Sequence, residues 1–394
     1  MHRRGEQMSL EILGHNLQRL RLVRGFSQEK LAQAAGISRI AYTNIERRQC
    51  APRADTVRAL ARALRVRVPE LLEEAPVLKR VRFRSLKRLR RREQVLVEVG
   101  QKLRDFLALE NVLQVEEHRN FDSLRAVAAV ARPQGMPAVA AAMRAHFGLR
   151  ETEPVHDICG LLEHQGVKVL SVNMATDAFL GLSVSEEDGG PAVVINTWER
   201  LPVEHWIFSA AHELAHLLLH LQAYQVDEEL EDRGEERDAD AFASHFLMPE
   251  GVFRREWEDT IGLPLFDRVL KVKRVFRVSW RTVLYRLAEG LSDPNQRWRL
   301  WIHFGKAYQQ RNRKVLLKMD EPEGVGIDAY RALSDLHKAG PEPAGMDRHD
   351  FQGDRLWRLV RQAVMEGKIT LARGAEILGI PLVDMRELAQ SWVQ

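Results

Sequence analysis

The chain has 394 residues, of which 45% are hydrophobic and 29% charged, with a net charge of +4 and two cysteines. This length predicts two or three domains, and the composition excludes wholesale disorder and a disulfide framework. The longest apolar stretches fall short of the ~20 residues that a bilayer demands, and the first residues lead into no apolar signal segment, so we expect a cytoplasmic protein without a membrane partner.

Charge is distributed unevenly along the chain. Residues 1–92 hold 23 Lys and Arg against 8 Asp and Glu, whereas the remaining 302 residues hold 36 against 47. A strongly basic N-terminal part joined to an acidic body favours a module that faces nucleic acid, attached to a domain with another role.

Short amphipathic helices are predicted throughout the first 75 residues, starting with one that carries leucines at helical spacing. Ser27 and Ser38 can each cap a following helix, and Gly36 permits the tight turn between those two helices. Two further helices are expected over Thr56–Leu64 and residues 69–73.

The segment Gln28–Glu46 has the parts of a helix-turn-helix: an apolar seam between two short helices and a turn with a glycine. Its second helix presents side chains outward, and arginine suits guanine while asparagine suits adenine in the major groove. Side chains at the start of the first helix and just past the second can reach phosphates. The residues expected to contact DNA are Gln28, Ser38, Arg39, Ile40, Thr43, Asn44, Arg47 and Arg48. Ile40 contacts either a thymine methyl group or nothing, and the alternative for the whole segment is a helical bundle with a solvated basic face.

Over about residues 12–73 the chain resembles the helix-turn-helix of the Cro/repressor-like (XRE) family. The resemblance implies a double-stranded DNA operator as partner and a structural ion pair between Arg21 and Glu46. Because such domains usually read paired half-sites, we expect a homodimer.

The next segment, Lys79–Arg92, has nine Lys or Arg among fourteen residues. It is predicted to be a linker or an exposed helix at the first domain boundary, and it either extends the phosphate contacts or is simply solvated. Periodicity then predicts two helices, two strands and two more helices, over residues 95–117, 123–147, 167–172, 192–195, 207–221 and 235–246.

His212 and His216 lie four residues apart in the first helix of that last pair, so both imidazoles can bind one metal ion. Glu213 projects beside this site and can act as a general base. Without further support, the same pattern could be a buried helix with satisfied histidines.

A catalytic zinc site needs a third protein ligand. The acidic helix supplies Glu236, and Asp240, one turn later, can accept the free ring N–H of a ligand histidine. Glu235 and Asp238 stay open as alternatives to Glu236.

The two helices together resemble the ImmA/IrrE family of metallopeptidases over about residues 150–290. The family pattern is His-Glu-x-x-His, then Glu-x-x-Ala-(Asn/Asp)-x-Phe-Ala and Leu-Met-Pro, and this chain has it at His212–His216, Glu236–Ala243 and Leu247–Pro249. The resemblance implies a gluzincin-like domain, a zinc (Zn²⁺) cofactor and a protein substrate. Family members often carry Arg-Phe before the zinc helix, where this chain has Ile207-Phe208.

Three other side chains lie near this motif in the sequence. His220 is expected to have a surface or substrate-facing role, and His245 is expected to be solvated. Tyr224 is a weak candidate for the side chain that donates a hydrogen bond to the oxyanion.

The end of the chain has a weaker pattern of the same kind as the N-terminal module. Residues 369–380 resemble the first half of a helix-turn-helix with Gly379 at the turn. The following helix carries Asp384 and Glu387 and little chemistry for reading bases, so a packing or dimerisation pair is expected.

These patterns predict a multi-domain fold: an all-α helix-turn-helix domain at 1–75, a basic linker and helical connector at 76–149, an α+β metallopeptidase domain with a small sheet at 150–290, and a mainly helical region at 291–394.

The expected function is a DNA-binding transcriptional regulator whose zinc endopeptidase cleaves a repressor, or the chain itself, to relieve repression. The alternative is a transcription factor whose metallopeptidase-like domain is a sensor or dimerisation module without turnover. Either one could serve as the regulator of a mobile element.

Overall fold

A computed structural model of the chain describes residues 2–66, 68–72, 78, 81–85, 92–115, 121–220, 232–317, 320–322, 346 and 348–392. Contacts divide the chain into two compact units. Unit 1 comprises Met1–Leu78 and Leu89–Asp105, and unit 2 comprises Lys79–Arg88 and Phe106–Gln394. Within the described residues, no helix is both long enough and apolar enough to cross a membrane.

Unit 1 is helical, as predicted. Ser27 accepts a hydrogen bond from the backbone N–H of Lys30, and Ser38 accepts one from that of Ala41, so both serines cap helices as expected. Gly36 takes a positive φ of 69° in the turn between those helices. The helices are α1 (His2–Val23), α2 (Gln28–Ala34), α3 (Arg39–Glu46), α4 (Ala54–Leu64) and α5 (Val68–Leu72).

A close approach joins α1 to the end of α3. A Cβ atom at Gly14 would lie 2.9 Å from the carbonyl oxygen of Glu46, so only glycine allows this packing without a backbone shift. Arg21 binds Glu46 through two hydrogen bonds, of 2.6 Å from Nη2 and 3.1 Å from Nε. The ion pair that the family resemblance implied is therefore present, and it fixes α1 against the second helix of the motif.

Unit 2 contains a four-stranded mixed sheet. Its strands are β1 (Val81–Ser85), β2 (Lys168–Val172), β3 (Phe179–Val184) and β4 (Ala192–Asn196), in the order β1-β3-β4-β2. β3 pairs antiparallel with both β1 and β4, and β2 pairs parallel with β4. The predicted strands over 167–172 and 192–195 are confirmed, whereas periodicity did not indicate β3.

The expectation that Lys79–Arg92 is a linker or an exposed helix is wrong at residues 81–85, which form β1. Val81, Arg82, Phe83 and Arg84 alternate between apolar and charged residues, with the period of two that a strand needs. The high density of basic residues concealed that alternation. Pairing with β3, from Val81 opposite Val184 onward, stabilises the strand.

The predicted helix over 123–147 is two helices. Pro133 and Pro137 each lack a backbone N–H, and Gly135 between them has a φ of 93°, so the helix is interrupted there.

The helix α6 (Arg92–Val112) belongs to unit 1 up to Asp105 and to unit 2 from Phe106 onward. The helices that follow it in unit 2 are α7 (Phe121–Ala131), α8 (Met136–His146), α9 (Ile158–His164), α10 (Val203–Leu219), α11 (Arg233–Leu247), α12 (Glu250–Glu258), α13 (Leu265–Phe276), α14 (Trp280–Glu289) and α15 (Pro294–Asn312).

The core of unit 2 is built around α10, which packs against α11 and against β3 and β4. One continuous set of buried apolar residues runs from Phe121 in α7 to Phe351. The helices predicted as a connector, α7 and α8, therefore share a core with the sheet and with α10.

The C-terminal part is helical, as expected, with α16 (Arg355–Met365), α17 (Leu371–Leu378) and α18 (Leu382–Ser391). Gly379 has a φ of 67° at the turn, three residues before α18, just as Gly36 stands three residues before α3. Two helices joined by a glycine turn are thus present where the sequence showed the first helix and the turn. On α18, Val383 is 62% exposed, whereas Met385 is fully buried.

Candidate metal centre

The buried helix α10 presents His212 and His216 on one face. It begins after Pro202 and carries apolar residues on all of its faces, which is why nearly the whole helix is buried. Both imidazoles are 1% exposed. Their Nε2 atoms lie 2.9 Å apart, so the two rings converge on one point.

Helix α11 brings a carboxylate to the same point. Asp232 caps the helix by accepting hydrogen bonds from the N–H groups of Gly234 and Glu235, at 2.6 and 3.0 Å. Phe242 and Phe246 stack on the buried side of the helix, with ring centroids 5.4 Å apart. Glu236 then lies with Oε2 3.3 Å from Nε2 of His212 and Oε1 3.3 Å from Nε2 of His216.

His212, His216 and Glu236 form a group that fits a tetrahedral zinc ion. Ligand bonds of 2.0–2.2 Å place neighbouring ligand atoms about 3.3 Å apart. The three side chains offer atoms that all lie within 4.8 Å of one another, with closest separations of 2.9–3.3 Å. Among the described residues, this group includes Glu236 and neither Glu235 nor Asp238, the two alternatives that the sequence left open.

The environment favours the ionisation states that metal ligands require. Burial lowers the pKa of His216 well below its ordinary value, so the ring is neutral near pH 7. Burial alone would raise the pKa of Glu236, but the hydrogen bonds of His212 and His216 outweigh it, so the pKa is lowered and the group stays ionised.

Two further side chains contact the outer nitrogens of the histidine rings. Oδ1 of Asp240 lies 2.8 Å from Nδ1 of His212, as the sequence predicted. Nδ1 of His220 lies 2.9 Å from Nδ1 of His216. His220 is buried, so the expectation of a surface or substrate-facing role is wrong. Its spacing of four residues from His216 was the signal that placed it on the same face of α10.

His220 can only act as an acceptor toward His216 if it is neutral. Burial, with the nearby charges of Arg82 and Arg132, lowers the pKa of His220 to about 4. His216 can then donate its Nδ1–H to His220 and keep the lone pair of Nε2 directed at the metal position.

Glu213, the residue after His212 on α10, is fully buried. A Cβ atom at position 181 on β3 would lie 3.4 Å from Oε1 of Glu213, so Gly181 faces this carboxylate without a side chain. Glu213 directly follows His212 in the sequence, which is the position from which a general base acts in a His-Glu-x-x-His helix.

Arg82 on β1 also reaches the site, and the sequence analysis missed it. Its Nη2 lies 3.1 Å from Oε1 of Glu236, and Nη1 contacts Oε2 of Glu235. Burial would lower the pKa of Arg82, but the two glutamates outweigh burial and raise it. No local motif could have revealed this contact, since 154 residues separate Arg82 from Glu236.

Two remaining candidates near the motif have different outcomes. The side chain of His245 is 13% exposed, with Nε2 3.5 Å from Glu289 and 3.0 Å from Arg286, so the expectation that it is solvated is wrong. α14 covers this ring, which periodicity within α11 could not predict. Tyr224 lies outside the described residues.

In unit 1, α3 and the residues that flank it include all of the residues predicted to contact DNA except Gln28, which lies on α2. Ser38, Arg39, Arg47 and Arg48 are exposed and Ile40 is 75% exposed. Thr43 and Asn44 are partly exposed on the same helix. Gln28 is held against α3, donating from Nε2 to Glu46 at 3.3 Å and accepting from Thr43 at 3.4 Å.

Two family models match the chain, one within unit 1 and the other within unit 2. Residues 12–75 match the model of a helix-turn-helix domain, and residues 162–288 match that of the IrrE N-terminal-like domain. No curated protein matches the chain. Among solved structures, the crystal structure of Bacillus thuringiensis PlcR in complex with the peptide PapR7 and DNA is 10% identical, covers 98% of this chain and 99% of its own, and has a TM-score of 0.18. At that TM-score the likeness supports no conclusion about this chain. The two family matches confirm both resemblances: the chain carries a helix-turn-helix domain followed by an IrrE N-terminal-like domain.

Proposed function

We propose that this chain is a DNA-binding transcriptional regulator with a zinc endopeptidase in its IrrE N-terminal-like domain. The observation that carries the proposal is the convergence of His212, His216 and Glu236 on one point, with Glu213, which follows His212 in the sequence, fully buried. Three protein ligands that leave a fourth position open are the arrangement of a catalytic zinc site, whereas structural sites are closed by four.

Held by His212, His216 and Glu236, a zinc ion would supply Lewis-acid chemistry: it would polarise a peptide carbonyl and lower the pKa of water to about 7. Glu213 accepts a proton at its carboxylate and then passes that proton to the departing amine. Asp240 accepts the Nδ1–H of His212, which fixes the tautomer and the orientation of the ring.

The substrate is a protein: a transcriptional repressor or the chain's own linker. Cleavage removes a repressor from its operator and so relieves repression. The partners of unit 1 are double-stranded operator DNA and a second copy of the chain, since helix-turn-helix domains usually read paired half-sites. The protein acts in the cytoplasm.

The test combines metal analysis with proteolysis. Purified full-length protein is expected to hold one zinc per chain. Glu213→Gln is expected to keep that zinc, and His212→Ala to lose it. Wild-type protein, incubated alone and with helix-turn-helix repressors from the same genome, is expected to yield a defined cleavage product by mass spectrometry, at a rate that Glu213→Gln lowers by about 10²-fold or more.

Two outcomes would count against the proposal. Zinc that stays in His212→Ala would show that these residues do not bind it. Equal derepression by wild type and Glu213→Gln in a reporter assay, with no cleavage product, would favour the sensor without turnover.

A further inference from the structure

The strand β1 lies at the edge of the described sheet and directs one of its side chains to the metal-binding group. Arg82 is paired with Ser183 of β3, in a register that runs from Val81 opposite Val184 to Ser85 opposite Phe179. The backbone of Arg82 is thus fixed by the sheet. Its side chain is 7% exposed.

The guanidinium of Arg82 contacts two neighbouring carboxylates on α11. Nη2 is 3.1 Å from Oε1 of Glu236, and Nη1 contacts Oε2 of Glu235. A planar guanidinium offers donors in a fixed fork, so it can fix the position of a carboxylate that a flexible lysine would only attract.

The charges in this cluster are balanced. A lone arginine beside a metal position would repel the cation, but Glu235 contacts the same guanidinium and compensates its charge. The role that remains for Arg82 is to orient the carboxylate of Glu236. Arg82 holds Oε1 of Glu236 while the two oxygens of that carboxylate each lie 3.3 Å from a histidine Nε2 atom. Partners that orient a ligand in this way strengthen metal binding.

We propose that Arg82 is a positioning residue for the metal ligand Glu236, so that the strand which follows the helix-turn-helix domain in the sequence is part of the metal centre. This inference rests on the proposed function only for the identity of the three ligands. It adds a linkage: because β1 and the metal both contact Glu236, zinc binding stabilises the docked strand, and the docked strand strengthens zinc binding.

The first measurement is zinc affinity in the full chain, by competition with a chromogenic chelator. Arg82→Gln is expected to weaken zinc binding by about 10–100-fold, the usual effect of removing a partner that orients a ligand. Arg82→Lys is expected to recover only part of that loss. Arg355→Gln is the matched control, because the side chain of Arg355 is 17% exposed and binds Glu110 at 2.6 Å in the same unit. The zinc affinity of this variant is expected to stay within twofold of that of the wild type.

The second measurement does not depend on zinc affinity alone. Hydrogen exchange of the β1 amides in the wild type is expected to slow when zinc is added, and the cobalt(II) visible spectrum, which reports coordination geometry, is expected to change in Arg82→Gln but not in Arg355→Gln. Tryptophan fluorescence checks that each variant is folded, and if Arg82→Gln fails that check, Arg82→Lys decides the question.

The outcomes separate the two proposals. If His212→Ala loses zinc while Arg82→Gln and Arg82→Lys bind it as tightly as wild type, the role of Arg82 is refuted and the metal site stands. If His212→Ala binds zinc like the wild type, the metal site itself is refuted. Weaker binding in both arginine variants, with the control unchanged, supports the inference.

Discussion

His220 lies with Nδ1 2.9 Å from Nδ1 of His216, so the two histidines of the metal-binding group have different partners. His212 faces the carboxylate of Asp240, whereas His216 faces a buried imidazole whose pKa is lowered to about 4. A carboxylate makes the ring that donates to it more basic, while a neutral imidazole only orients it. Removing Asp240 and removing His220 are therefore expected to lower the zinc affinity of the proposed site by different factors.

Replacing His220 tests this second contact. His220→Phe fills the buried space but leaves the Nδ1–H of His216 without its acceptor, so zinc affinity is expected to fall about tenfold. The measurement is chelator competition at pH 7.5. His303→Phe, at an exposed position on α15, is the control. Wild-type affinity in His220→Phe would show that this contact does not orient His216.

Replacing Asn44 and replacing Arg47 in unit 1 are expected to affect DNA binding in two different ways. After an operator has been selected from random duplexes, Asn44→Ala is expected to relax preference at one base pair by roughly 1–3 kcal/mol. Arg47→Ala is expected to weaken binding to every sequence and to reduce the slope of log affinity against log salt by about 1. Lys306→Ala, exposed on α15 in unit 2, serves as the control for loss of a positive charge. A salt response that is flat in the wild type would contradict phosphate contact by this domain.

Asn196, at the end of β4, organises the turn between β2 and β3. Its Nδ2 donates to the carbonyl oxygens of Met174, Thr176 and Phe179 at 2.9–3.0 Å, and its Oδ1 accepts from the N–H of Met174 at 2.9 Å. Asn196→Ala leaves these buried groups unsatisfied and is expected to cost about 2–4 kcal/mol of stability.

Tryptophan fluorescence during urea unfolding measures that loss in unit 2 alone, because all eight tryptophans lie at or beyond position 198. The exposed Asn295→Ala is expected to change stability by less than about 0.5 kcal/mol. Equal unfolding midpoints for the two variants would show that the turn does not depend on Asn196.

Glu163 predicts how the stability of unit 2 depends on pH. Burial raises the pKa of its carboxyl to about 7, although the backbone N–H groups of Asp354 and Arg355 donate to it at 3.1 and 2.9 Å. The folded state therefore holds a proton that the unfolded state releases near pH 4.3. The contribution of this group to stability is full below that pH and is lost as the pH rises through about 7.

Glu163→Gln removes the titration and is expected to flatten this dependence. Between pH 5 and pH 7.5, the wild type should lose up to about 3 kcal/mol more than Glu163→Gln, measured by urea unfolding followed by tryptophan fluorescence. Parallel losses in the two proteins would show that Glu163 titrates normally in the folded state.

Local patterns in the sequence predicted the elements that local physics controls. The serine caps, the turn glycines and the apolar periodicity located α2 and α3, and the spacing of His212 and His216 placed two rings on one helix face. The same local rules failed at residues 79–92, where charge density concealed a strand. They also failed at residues 123–147, where Pro133 and Gly135 interrupt the helix although the apolar periodicity continues on both sides.

By itself, the sequence determined the order of the two domains, the helix that carries the histidines, and the acidic helix with its candidate ligands. Only the tertiary structure showed that Glu236, and not Glu235 or Asp238, lies with the two histidines, and only it showed that Arg82 contacts Glu236. The physical reason is distance along the chain: periodicity acts over a few residues, whereas Arg82 meets Glu236 across 154 residues through strand pairing and helix packing. His220 is a second example. Its spacing from His216 indicated the side of the helix on which it lies, but only the packing of the core around it showed that this side is buried and not exposed to solvent.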